Sequence, residues 1–255
     1  MVERGLGGQI VAGRNAVREL LASGRRPVRE IFFAEGIDPA PILDEITSLA
    51  ARAGVPIRTV PRSKIDRLAE TEAPQGVVAR AAPIPEADLT VLATSRPGQP
   101  PPFLVALDGV TDPHNLGAII RTAESAGATG IVLTRHRAAH VTPTVTKAAA
   151  GAIEHMPIAV VPGLPAALQE LQSRGVWTVG LAGDSPLSVF DLAVADGPLC
   201  LVLGSEGTGL SRLVRQRCEI VVAIPKIGRT ESLNVSAAAA VTCFEIARRR
   251  MADSP

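Results

Sequence analysis

Tyrosine is absent from this 255-residue chain, tryptophan occurs once and phenylalanine five times. So sparse an aromatic set argues against a surface that stacks nucleobases on a row of rings. Charge of one sign is lacking too. The 26 Lys and Arg against 25 Asp and Glu leave a formal net charge of +1, which removes the simplest argument for nucleic-acid binding. Composition alone favours a small-molecule enzyme. Three scattered cysteines, Cys200, Cys218 and Cys243, make neither a disulfide framework nor a CxxC metal knuckle. No stretch approaches the ~20 apolar residues of a membrane span. The start, Met1-Val2-Glu3-Arg4-Gly5, lacks the basic-then-apolar plan of a signal peptide. The expectation is a soluble, reduced, cytoplasmic protein.

What is present is a large apolar fraction, 46%, in short runs broken by 23 Gly and 21 Pro. That suffices for a sizeable core and excludes a disordered chain. The proline-dense stretch from Ala82-Pro83-Ile84-Pro85 to Arg96-Pro97-Gly98-Gln99-Pro100-Pro101-Pro102 favours an extended linker. It divides the chain into 1–82, a linker at 83–102 and a second domain at 103–255.

In the first part, apolar spacing predicts helices at Arg14–Ser23, Ala40–Ala53 and Ser63–Glu70. Strands are expected at Glu30–Ala34, Ile57–Val60 and Gly76–Ala79, which makes a small α/β unit. In the second part, strands at Phe103–Leu107, Gly130–Leu133, Pro157–Val161, Thr178–Leu181, Leu199–Leu203 and Ile220–Ala223 alternate with helices. Those helices are expected at Asn115–Ala126, Pro165–Arg174, Ser211–Arg217 and Val235–Arg250. Such alternation predicts a largely parallel sheet covered on both faces, with ligands in loops beyond the strands' carboxyl ends.

Three of those loops carry candidate chemistry. Gly204-Ser205-Glu206-Gly207-Thr208-Gly209-Leu210-Ser211 nearly matches a phosphate-binding loop. Leu210 stands at the lysine position, however, and Glu206 adds negative charge. The loop therefore suits a ligand without phosphates, such as a cationic one, or is simply a Gly-rich turn. Asp108 to Asn115 leads into a helix that either Asp112 or Asn115 caps. On that helix Arg121 interrupts an Ala/Ile-rich run, so it needs an anionic partner, either Glu124 or a substrate anion. Ile224 to Ser236 leads into Ala237-Ala238-Ala239-Ala240, with Ser232, Asn234 and Ser236 offering more polar groups than one cap requires. Arg248-Arg249-Arg250 reads as cations at a helix C-terminus. His136 and His140 are four residues apart but lack further ligands nearby, so metal binding is not expected.

Together these segments resemble the three motifs of the SpoU branch of the SPOUT RNA methyltransferases. They are Asp112-Pro113-His114-Asn115-Leu116-Gly117-Ala118-Ile119-Ile120-Arg121-Thr122-Ala123, Gly204-Ser205-Glu206-Gly207, and Ile224-Pro225 with Ser232-Leu233-Asn234-Val235-Ser236. Segment 10–82, with Gly13-Arg14-Asn15-Ala16-Val17 and Gln75-Gly76-Val77-Val78, is similar to the family's small RNA-binding domain, itself like certain ribosomal proteins. The arrangement is most similar to the large-subunit ribosomal RNA guanosine 2′-O-methyltransferases.

The resemblance implies S-adenosylmethionine as methyl donor, a ribose 2′-hydroxyl of RNA as acceptor, a deep trefoil knot near the C-terminus, and a homodimer with active sites near its interface. It implies cofactor contacts from Leu203, Gly204, Ile224 and Leu233. It also makes Arg121 the central catalytic residue, with Asn115, Glu206, Ser232 and Asn234 around it. A guanidinium scarcely deprotonates, so the expected role of Arg121 is electrostatic. Pro74, Lys226 and Ala149 depart from the family's usual His, Met and Ser; the first and last bear on which RNA is held. A transfer-RNA target, an antibiotic-resistance methylation of ribosomal RNA and a non-catalytic RNA-binding assembly factor stay open alternatives. A phosphate-dependent nucleotide enzyme is disfavoured by Leu210 and Glu206.

Overall fold

The computed structural model describes residues 5–69, 74–135, 141–229 and 232–252. The chain divides into two compact units. One comprises Met1–Pro85 with Leu116–Arg121 and His140–His155; the other comprises Glu86–Asn115, Thr122–Ala139 and Met156–Pro255.

The first unit contains β1 (Ile10–Ala12), α1 (Arg14–Ser23), β2 (Val28–Ala34), α2 (Pro41–Ala53), β3 (Ile57–Val60), α3 (Arg62–Ala69) and β4 (Val77–Ala81). Its four-stranded sheet has the order β1-β4-β2-β3, with β2 and β3 parallel and the other pairs antiparallel. Successive strand residues face opposite sides. Ile31, Val77 and Ala79 thus join Val17 and Leu20 of α1 and Ile46 of α2 in one core. Phe32 and Val78 join Ile65 and Ala69 of α3 in the other. This unit also holds a buried ion pair, Arg26–Glu154, at 2.6 Å. The same guanidinium donates to the Gly8 and Ala82 carbonyls.

In the second unit come β5 (Glu86–Ala87), α4 (Leu89–Leu92), β6 (Phe103–Asp108), the two ends of α5 (Pro113–Ser125), whose middle, Leu116–Arg121, groups with the first unit, and β7 (Gly130–Thr134). Then follow α6 (Pro143–Ala148), which groups with the first unit, β8 (Ile158–Val161), α7 (Leu164–Ser173), β9 (Trp177–Leu181), β10 (Leu199–Gly204), α8 (Arg212–Arg217), β11 (Ile220–Val222) and α9 (Val235–Ala252). The seven strands lie in the order β11-β9-β10-β6-β7-β8-β5, every pair parallel. Central strands such as Leu199–Leu203 are buried throughout, as a parallel sheet covered on both faces requires. This is the α/β architecture expected from the alternating pattern.

Residues 83–102 are not extended throughout. The prolines stand at 83, 85, 97 and 100–102, which leaves room between them for β5 to pair with β8 and for α4 to form behind the Asp88 cap. Leu89 and Ala93 then bury in the core with Leu104, Val132 and Leu168. The three arginines at the end of α9 are also more engaged than a dipole argument requires. Arg248 and Arg249 both pair with buried Glu245 at 2.8 Å. Arg250 donates to the Pro101, Pro102, Ala195 and Gly197 carbonyls. Among the described residues, no helix is long and apolar enough to cross a membrane.

Candidate active site

The carboxyl ends of β9 and β10 and the segment after β11 enclose a cavity of about 510 Å³. That lies within the usual range for small-molecule sites. Leu203, Gly204, Ile224, Ser232 and Leu233 all line it, together with Glu206. Its walls are apolar along Leu181, Leu203, Ile224, Leu233 and Val235.

The loop after β10 has a fold of its own. Ser205 and Gly209 exchange backbone hydrogen bonds at 3.1 and 3.0 Å, and the Ser205 and Thr208 hydroxyls meet at 2.6 Å. A Cβ on Gly204 would lie 2.1 Å from the Gly209 carbonyl carbon, so no side chain fits there. The loop thus presents backbone to the cavity, with Glu206 on its exposed rim. The Asp108 carboxylate secures the exit by accepting from Ser211 N at 2.7 Å.

Asp112 caps α5 by accepting from Asn115 N at 2.9 Å, which frees the Asn115 side chain. Asn234 caps α9, its Oδ1 accepting from Ser236 N at 2.8 Å and Ser236 Oγ at 2.6 Å. That capping fixes the amide's orientation, because only the oxygen can accept from N–H groups. Asn234 Nδ2 therefore faces the other two loops. It donates to Asn115 Oδ1 at 3.1 Å and to Glu206 Oε1 at 2.5 Å. One amide thereby joins the ends of β6 and β10 to the start of α9.

Arg121 is not among the groups so joined. Six residues beyond Asn115 on α5 it stands about 9 Å further along the helix and about 120° around it. It is exposed, and it makes no hydrogen bond or ion pair with a described residue, Glu124 included. Of the two partners the sequence offers, Glu124 does not pair with it.

Residues after β9, which the sequence reading passed over, complete the wall. Arg215 donates to both carboxylate oxygens of Asp184, at 2.8 and 2.9 Å. The hydrogen bond from Arg215 holds the Asp184 carboxyl below the usual carboxylate range. The only available signal was Ala182-Gly183-Asp184 at the end of a parallel strand. The thiols offer no nucleophile: burial raises Cys200 and pushes Cys218 and Cys243 up to about 12, so all stay protonated. Among the described residues no cluster suits a metal ion; His136 and His140 lie outside them.

Comparison with known proteins bears on the whole chain. The SpoU rRNA methylase family model matches residues 102–244, and that of the RNA 2′-O ribose methyltransferase substrate-binding domain matches 10–87. The 23S rRNA (guanosine-2′-O-)-methyltransferase RlmB of Pseudomonas putida is 39% identical over 241 residues, covering 94% of this chain and 96% of that protein. A tRNA/rRNA methyltransferase of Mycobacterium ulcerans is 42% identical over 242 residues, covering 95% of this chain and 77% of its own length. The crystal structure of the SpoU methyltransferase AviRb from Streptomyces viridochromogenes, in complex with the cofactor AdoMet, superposes with a TM-score of 0.78. It is 25% identical and covers 95% of this chain and 90% of that one.

Proposed function

This chain belongs to the SpoU rRNA methylase family, and from that premise we propose that it methylates the ribose 2′-hydroxyl of a guanosine in large-subunit ribosomal RNA, with S-adenosylmethionine as donor. The observation that carries the reading is the Asn234 amide, which ties the three motif loops into one rim beside the cavity.

The residues present fit that cofactor. The apolar side chains Leu203, Ile224 and Leu233 suit an adenosine body, and backbone at Gly204 allows close approach. Leu210 stands where a phosphate-binding loop has lysine, so the cavity is not built for a nucleotide's phosphates. Glu206 supplies negative charge to a cationic ligand. When bound, S-adenosylmethionine supplies a methyl group made electrophilic by its sulfonium.

The chain's own groups do the rest. Asn234 holds the Glu206 carboxylate in place, Asn115 steadies that amide by accepting from it, and Ser232 adds a polar group to the cavity wall. Arg121, exposed and without a partner among the described residues, binds the phosphate next to the acceptor ribose and stabilises negative charge growing on the 2′-oxygen. With the cofactor's methyl group supplied to the 2′-oxygen, the hydroxyl proton would leave to phosphate or water, and Arg121 would steady the charge meanwhile.

The same proposal assigns RNA binding to residues 1–82 and the methyltransferase domain, with its trefoil knot, to 103–255. It also pairs two copies in a homodimer. Val241, Phe244 and Met251 are exposed on α9 and share one helical stripe, which supports an apolar interface. A ribosomal RNA substrate implies work in the cytoplasm.

The test is methyl transfer from labelled S-adenosylmethionine to large-subunit ribosomal RNA and, separately, to transfer RNA, followed by mass mapping. A single 2′-O-methylguanosine in ribosomal RNA is expected. Absence of both cofactor binding and methyl transfer would overturn the enzymatic reading.

A further inference from the structure

The first unit contains a second concavity, about 260 Å³, that the methyl-transfer site does not use. It opens where β2 ends and α1 and α3 begin, beside the turn that enters β4. Its floor is Ala34 and Ile37, and its rim carries Arg14, Arg62, Asp38 and Gln75.

The two arginines are the unusual feature. Each is the first residue of its helix, Arg14 on α1 and Arg62 on α3, and neither helix has an acidic residue in its first turn. A cation at a helix N-terminus is opposed by the helix dipole, so the dipole favours neither arginine at its position. Arg14 is nevertheless held in a set orientation. Its Nε donates to the Gln75 carbonyl at 3.2 Å and its Nη2 to the Asp38 carbonyl at 3.4 Å. Arg62 is exposed and makes no hydrogen bond or ion pair with a described residue.

The turn beside them is built with equal definition. Gln75 has φ +56° and Gly76 φ +75°, and a side chain on Gly76 would come within 2.8 Å of Ile37 Cδ1. The left-handed pair thus lets backbone lie directly against the cavity floor. Gln75 Oε1 accepts from Arg14 N at 3.1 Å, which turns the amide's NH₂ away from that bond as a ready donor.

An apolar floor, with two guanidinium groups and an amide at the rim against the single carboxylate of Asp38, suits a flat ring carrying a phosphate. A free phosphate alone would leave the Ile37 floor uncovered, and a base pair in a duplex has no exposed face to cover it. We propose that this concavity binds one unpaired nucleotide of the RNA, its base against Ile37 and its phosphate between Arg14 and Arg62. The site is a second anchor on the RNA, separate from the methyl-transfer cavity. It rests on the reading of the chain as an RNA methyltransferase and adds where, and in what form, the RNA is gripped.

The test uses the full chain and two RNA probes of equal length and charge, a hairpin with an unpaired loop and a fully paired duplex. For Arg62→Ala, affinity for the hairpin should fall roughly tenfold, consistent with loss of one stacked and charge-paired nucleotide. Affinity for the duplex should stay within twofold. Arg14→Lys, which keeps the charge but loses the fork, should act in the same direction. A 4-thiouridine in the hairpin loop should cross-link to a peptide containing Ile37 or Gln75. Equal losses on both probes, or cross-links confined to other peptides, would overturn the unpaired-nucleotide site. S-adenosylmethionine affinity, measured by calorimetry on the same variants, should not change. A wild-type chain that binds cofactor and methylates RNA while Arg62→Ala binds the hairpin normally would sink this inference and leave the enzymatic reading standing. A wild-type chain that binds neither RNA nor cofactor would sink both.

Discussion

Asn234 donates its side-chain amide to the Glu206 carboxylate at 2.5 Å while its own carbonyl oxygen caps α9. The two halves of one amide thus serve different ends, one the helix and the other the rim of the cavity. That division allows stability and activity to be separated by substitution.

Asn234→Asp should separate them. Aspartate caps a helix as well as asparagine, so the melting temperature should move by no more than a few degrees. It cannot donate, however, and it sets a second carboxylate against Glu206, where like charges repel. Methyl transfer should fall about 100-fold or more, as when a preorganised donor is removed from a site. Asn234→Ala should lose about 1 kcal/mol of stability as well. Undiminished transfer by Asn234→Asp, with the fold intact, would remove this amide from the active site.

Arg121→Ala is expected to behave in the opposite sense from a structural arginine. The side chain is exposed and unpaired among the described residues, so stability should change by less than about 0.5 kcal/mol. Cofactor affinity by calorimetry should be near wild type, while turnover is lost. Arg121→Lys should recover little, since a point charge does not reproduce a planar fork on phosphate. Lost cofactor binding in a folded Arg121→Ala protein would contradict the assigned role.

Local signals made much of this legible. The helix at Arg14–Ser23 and the strand at Ile57–Val60 follow from apolar spacing to the residue. That α5 and α9 are capped follows from residue type and position; which of Asp112 and Asn115, and which of Ser232, Asn234 and Ser236, does so is set by the structure, as Asp112 and Asn234. What periodicity does not reach is short or distant. β5 and α4 have two and four residues, too few for any period to register, and they sit between prolines that favour extended chain. The Asp184–Arg215 pair spans 31 positions and the Arg26–Glu154 pair 128. Nothing at either end of such a pair announces the other, because the sheet and core bring them together only after folding.

Arg26 and Glu154 give a stability prediction that follows from that distance in sequence. Both side chains are only 2% exposed, and two hydrogen bonds of 2.6 and 2.9 Å join them. Arg26→Met should cost about 3–5 kcal/mol by leaving a buried carboxylate without its partner. Adding Glu154→Leu should restore part of that, leaving the Gly8 and Ala82 carbonyls short of a donor. Urea unfolding of the two single variants and the double variant measures the coupling. Additive losses would show that the pair does not act as a unit.

Glu245 sets the response to acid. The hydrogen bond from Arg248, reinforced by Arg249, pulls its carboxyl from the usual 4.5 to about 2. An unfolded chain has neither partner held in place and takes up its proton near the ordinary value. The folded form therefore gains stability from this carboxylate at any pH above about 4.5. That gain shrinks as the pH falls from 4.5 towards 2, where the folded protein protonates as well. Glu245→Gln lacks the titration, so it should be less stable than wild type at neutral pH, and the difference should narrow as the pH falls through that window. Melting temperatures across the range for both proteins test this. A constant gap would mean that the two arginines hold Glu245 no better folded than unfolded, and that the end of α9 is fixed instead by the carbonyls that Arg250 meets.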